Sequence, residues 1–90
     1  MDFEFDPRKN DINREKHGID FLEAQQLWEV PNFVAATAYI DGEPRWSILG
    51  ELRGRLYVAI FTKREDRVRL ISCHRVDGRW EREYALKILN

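Results

Sequence analysis

The spacing of apolar and polar residues changes character several times along the chain. Phe3 and Phe5 alternate with acidic residues, a pattern that suits a short strand. Asp6 followed by Pro7 predicts a helix N-cap with proline in the first turn. Gly18, after Lys16 and His17, predicts its left-handed C-cap. The helix between them, residues 7–17, is highly polar, with Ile12 its one strong apolar anchor. Such a helix gains little from burial and must be held at its ends or through polar groups. Asp20, with Glu23 three residues on, forms a capping box for a second helix, which Pro31 ends. Its apolar stripe, Phe21, Ala24, Leu27 and Trp28, has helical spacing and reads as core.

From Phe33 the period shortens to that of strands. Residues 33–40 form the first, and Asp41-Gly42 is a hairpin signal. Residues 45–52 alternate Trp46, Ile48, Gly50 and Leu52 against Arg45, Ser47, Leu49 and Glu51. Arg53-Gly54 turns the chain into residues 56–62, apolar on both faces and therefore central. A polar turn at 64–66 leads to a fourth strand, 67–75. Short turns between these four strands imply an antiparallel meander. A last helix is predicted from near Asp77, with Trp80, Tyr84, Ala85 and Ile88 along one side. The order β-α-α-β-β-β-β-α predicts an α+β domain, with helices laid on an antiparallel sheet.

Ninety residues suffice for one domain with a modest core, here residues 1–90. A hydrophobic fraction of 43% predicts folding rather than disorder. The net charge of −1 argues against indiscriminate coating of nucleic acid. Charge is nevertheless segregated. Basic residues gather between Arg8 and His17 and from Arg53 to Arg75, so a basic groove remains available. A single cysteine forms no internal disulfide, the acidic opening is unlike a signal peptide, and no apolar run approaches membrane-spanning length. A soluble cytoplasmic protein is expected.

The most informative stretch is RVRLISCHR at 67–75, with Arg67, Arg69, His74 and Arg75 in nine residues. Crowded cations favour an anionic partner, although charge on an edge strand also serves solubility. Strand periodicity places Arg67, Arg69 and Arg75 on one face and Leu70, Ser72 and His74 on the other, unless a bulge intervenes. No familiar metal-ligand spacing, glycine-rich phosphate loop or nucleophile elbow occurs. Cys73 reads as a small buried hydrophobe. Arginines and two imidazoles suit a phosphodiester: guanidinium clamps phosphate, and imidazole moves a proton near neutrality. RNA supplies its own nucleophile, the 2′-hydroxyl. The same residues also describe a phosphate-binding surface. Lys9 and Asn13, one turn apart, serve equally well to tie the polar helix to the sheet.

The opening FEFDPRKNDINREKHGIDFLEA resembles that of the BrnT ribonuclease toxins, F-x-W-D-x-x-K followed by N-x-x-K-H-G-(V/I)-x-F-x-E-A. Arg45, Gly50, the segment RVRLIS and Tyr84 are similar as well. The resemblance implies a RelE-like fold with two N-terminal helices and one C-terminal helix. It also implies a metal-independent endoribonuclease without cofactors that inhibits translation. A ribbon-helix-helix antitoxin is the implied partner, and operator DNA is bound only through the toxin–antitoxin complex. The expected catalytic residues are Arg67, Arg69, His74 and Arg75, with Lys9, Lys16, His17, Trp80 and Glu81 against RNA. The family strand commonly continues I-S-A-R-K-A, so His74 replaces an arginine and Arg75 a lysine. Trp80 stands where a glutamate is usual, with Glu81 one position on. These departures leave a second reading open: a weakly active module that binds antitoxin and contributes to operon repression.

Overall fold

The computed structural model describes residues 1–76 together with Gly78, Arg79, Arg82, Leu86 and Lys87. Strand β1 (Asp2–Glu4) leads to helix α1 (Pro7–His17) and helix α2 (Phe21–Ala24), which runs into a 3-10 turn at Gln25–Glu29. Four strands follow: β2 (Asn32–Ile40), β3 (Glu43–Leu52), β4 (Arg55–Arg64) and β5 (Arg67–Arg75). Among the described residues the fold is α+β, with helices α1 and α2 and a five-stranded sheet ordered β1-β5-β4-β3-β2. Of the C-terminal helix expected from Asp77, the residues Asp77, Trp80, Glu81, Tyr84, Ala85 and Ile88 lie outside the described residues.

The meander β2 to β5 is antiparallel throughout, and β4 lies at the sheet's centre. The expectation of a wholly antiparallel sheet needs one correction: β1 pairs parallel with β5, so the sheet is mixed. A parallel neighbour requires a crossover connection, and here α1, α2 and the meander separate the two strands. The hairpin signals hold. Asp41-Gly42 and Arg53-Gly54 both have two successive positive φ angles, the conformation that suits the twist of tight hairpins.

The helix ends also follow the sequence. The Asp6 carboxylate accepts from the Arg8 amide at 2.9 Å, and Gly18 adopts φ +72° beyond the last turn. Asp20 and Glu23 close a reciprocal capping box. The second helix is shorter than predicted, because the chain tightens to 3-10 geometry after Ala24. Its stripe is still core: Phe21, Ala24 and Leu27 are fully buried, with Trp28 wedged edge-on between Phe3 and Phe61 at 5.0 and 5.1 Å. These residues, with Ile48, Phe61, Leu70 and Cys73, make the main core on one face of the sheet. Leu49, Leu56 and Val58 form a smaller cluster on the other.

Ile12 is not the anchor of α1. It is 59% exposed, whereas Asn13 is 6% exposed and is the helix's one buried residue. A helix with almost no apolar moment is seated through hydrogen bonds instead.

Gly50 lets the 3-10 turn approach the sheet. A Cβ there would stand 3.0 Å from Leu27 Cδ2 and 3.3 Å from Val30 Cγ2. Leu27 is fully buried and has little room to yield. Gly50→Ala should therefore lower stability by about 1 kcal/mol or more and the melting temperature by roughly 4–8 °C. An unchanged melting temperature would show that the turn moves freely over β3.

Candidate functional site

The site forms where β1 stops short. β1 covers the outer edge of β5 only at Arg67, Val68 and Arg69. Beyond them the strand's polar backbone would stand open, and such groups are costly to bury without partners. The Asn13 side chain supplies them. Its Oδ1 accepts from the Cys73 amide at 3.0 Å, and its Nδ2 donates to the Cys73 carbonyl at 2.8 Å. The same Nδ2 donates to the Ile19 carbonyl at 2.8 Å. One amide thus takes the place of a strand at Cys73 and also fixes the segment that leaves α1.

Residues one turn either side of Asn13 share its face of α1, which brings Lys9 and His17 towards β5 with Lys16 beside them. A pocket of about 180 Å³ lies between the elements, lined by Lys9, Asn13, Lys16, His17, Ile71 and Ser72 among others. The ring of His17, which lines it, lies 5.6 Å from that of His74 and is tilted by 41° to it. Burial first, and the neighbouring His17 second, hold the His74 imidazole below its ordinary value of 6.5.

A bulge decides which side chains share this face. Phe61 lies opposite Leu70 and Ile60 opposite Ser72, so Ile71 is the extra residue of β5. Before the bulge, Val68 and Leu70 enter the core and Arg67 and Arg69 face away. After it the phase inverts: Cys73 enters the core opposite Ala59, while Ser72 and His74 join the face of Arg67 and Arg69. Uninterrupted alternation would have placed Arg75 with the other two arginines and His74 opposite them. The bulge reverses both placements. Arg75 lies opposite Tyr57, on the core-facing side of the strand, and is exposed at its end.

The cations that line the pocket with His17 are Lys9 and Lys16. Arg69 lies earlier on β5 and is bound to Glu4, Nη1 to Oε2 at 3.0 Å. Arg67, exposed, begins the strand opposite Arg64. Trp80 and Glu81 lie outside the described residues. The expectation that Asn13 ties the polar helix to the sheet is borne out by its bonds to Cys73. A larger pocket of about 520 Å³, walled by Phe3, Leu22, Trp28 and Glu29 among others, is lined by no lysine, arginine or histidine side chain.

Among the described residues, no group of three or more His, Cys, Asp or Glu could hold a metal ion, and no helix is long and apolar enough to cross a membrane. What the cleft offers is positive charge for an anion and two imidazoles able to carry protons. A family model described as the ribonuclease toxin BrnT of type II toxin–antitoxin systems matches residues 5–79, and the chain belongs to that family. No curated protein matches it. A ribonuclease toxin of this kind has a cognate antitoxin as partner.

Cys73 lies next to His74 in sequence yet takes no part in the cleft. Its side chain is fully buried, and desolvation pushes the thiol up to about 12. At pH 8 the native protein should resist alkylation by iodoacetamide, with complete modification once it is unfolded in denaturant. Rapid native labelling would show that β5 opens at the Asn13 bridge.

Proposed function

We propose that the chain is an endoribonuclease that cleaves RNA without a metal, using the RNA's own 2′-hydroxyl as nucleophile. The observation that carries this reading is the pair of imidazoles 5.6 Å apart beside Lys9 and Lys16. His74 removes the 2′-hydroxyl proton, and the oxygen attacks phosphorus. The 5′-oxygen of the next nucleotide leaves with a proton from His17. The products are a 2′,3′-cyclic phosphate end and a free 5′-hydroxyl. Lowering the basicity of His74 keeps it neutral, as a base must be, down to mildly acidic pH. Lys9 and Lys16 hold the phosphate and offset charge as it gathers on the non-bridging oxygens. Arg67 and Arg69, further along the same face, would track the RNA backbone. Arg75 at the strand's end would serve a neighbouring phosphate, with Trp80 and Glu81 completing the RNA contacts.

The remaining parts of the proposal rest on the family. They are a RelE-like arrangement with a C-terminal helix, arrest of translation as messages are cut, and silencing by a ribbon-helix-helix antitoxin that carries the pair to operator DNA. The second reading, a weakly active module that binds antitoxin, is favoured by one feature of the cleft. Arg69 is neutralised by Glu4, and Arg75 lies off the imidazole face.

The test is cleavage of naked RNA. Activity should persist in EDTA, while RNA affinity falls steeply with added salt. His74→Ala should slow cleavage by roughly 10²–10⁴-fold with RNA affinity nearly intact. Because the folded His74 titrates below 6.5, the acid limb of the rate profile should have its midpoint below that value and disappear in the variant. Failure of the free protein to cut RNA, although it binds antitoxin in a separate assay, would establish the binding module instead.

A further inference from the structure

We propose that Asn13 is a positioning residue for this reaction: it holds the His17 and His74 rings beside one another without itself touching RNA. The inference rests on the cleavage reading above and adds to it a residue that none of the candidate chemistry had included. Asn13 precedes His17 by four residues, so both project from one side of α1. It bonds both backbone groups of Cys73, the residue immediately before His74, at 3.0 and 2.8 Å. Its third bond, to Ile19, secures the chain just after His17 and its Gly18 cap. The two imidazoles are thus tied through a single buried amide, each within one helical turn or one residue of it.

No apolar packing is available to do this instead. Ile12 points largely to solvent, and Asn13 is the buried residue of α1. On the strand side, His74 lies opposite Val58, so β4 presents no charged side chain at that register. Lys9, Lys16 and His17, all from α1, are the charged or titratable groups brought to the cleft beside it. Any slip of α1 along β5 changes the separation of the proton donor and acceptor, to which transfer rates are sharply sensitive.

The bridge also explains why the bulge is fixed. A paired edge can slide by two residues without inverting its faces, but an amide that grips both the N–H and the C=O of one residue allows a single register. That register leaves Ile71 as the extra residue and turns His74 to the cleft.

The experiment compares the full chain with Asn13→Asp and Asn13→Ala, using Asn10→Ala as a structural control. Asp keeps an acceptor for the Cys73 amide but turns a carboxylate oxygen towards the two carbonyls, which repels them. Asn10 also joins α1 to the following helix, its Oδ1 accepting from the Phe21 amide at 2.7 Å, but stands about two helical turns before His17. Two readouts are taken: NMR cross-relaxation between the His17 and His74 rings, and kcat and KM on an RNA oligonucleotide. Both Asn13 variants should lose the ring-to-ring signal and drop kcat by roughly 10²-fold with KM little changed. Asn10→Ala should lower the melting temperature and leave both readouts as in the parent. A folded Asn13→Asp protein that keeps the ring signal and the parent's kcat overturns the proposal. If neither Asn13 variant folds, hydrogen exchange of the parent decides. Strong protection of the Cys73 amide supports the bridge, and exchange at the rate of an exposed amide refutes it. A parent that cuts no RNA refutes the cleavage reading, and the ring signal then decides by itself whether Asn13 sets the imidazole pair.

Discussion

An edge strand that is only half covered sets the terms for the rest of this molecule. β5 receives a neighbour along its first three residues and then runs on beside a helix, which has no backbone to offer it. Buried N–H and C=O groups without partners cost on the order of 1–3 kcal/mol each, enough to matter in a domain of this size. A side-chain amide solves the problem because it carries a donor and an acceptor at nearly the spacing of a peptide. Seating α1 this way requires the helix to be polar where it meets the sheet. A polar interface is also what a site for an anion needs, so the same bonding that supports β5 brings lysines and a histidine to it.

Charge distribution follows a similar economy. Several arginines are occupied by carboxylates: Arg53 by Glu23 at 2.9 Å, Arg64 by Glu43 at 3.0 Å and Arg69 by Glu4 at 3.0 Å. Pairs this exposed add little to stability. Their effect is to keep the outer strands and turns close to neutral. Glu43 accepts two bonds from Arg64, which holds its carboxyl below the ordinary value through direct hydrogen bonding. The chain's near-zero net charge is therefore compatible with a local excess of cations beside the imidazoles.

Much of the fold was legible because it depends on local rules. Asp6-Pro7, Gly18, the Asp20–Glu23 box and the Asp41-Gly42 turn each announce a backbone conformation in two to four residues, and each is found as announced. The central position of β4 followed from its apolar residues on both faces. What failed depended on partners distant in sequence. The parallel pairing of β1 with β5 joins residues 65 apart, and nothing in Phe3-Glu4-Phe5 specifies direction. Ile12 was a reasonable anchor by hydropathy, yet the helix is fixed by an asparagine whose partner lies 60 residues away. The site was half legible for the same reason. The residue types were right, but which of them meet turns on a single extra residue in β5, and Ile71 fits a regular strand as well as a bulged one.

That extra residue also gives physical sense to the histidine at position 74. On the face it occupies, the side chain is half-buried and within reach of a second imidazole. A guanidinium there would retain its charge at every accessible pH and would need a carboxylate or a phosphate beside it to offset desolvation. An imidazole can shed its proton and remain neutral until a substrate arrives. Replacing a fixed cation by a titratable one exchanges permanent phosphate attraction for proton transfer, with attraction left to the lysines of α1. The exchange works only if the ring faces the cleft, and it does so because the bulge at Ile71 turns it there and Asn13 prevents the strand from slipping back.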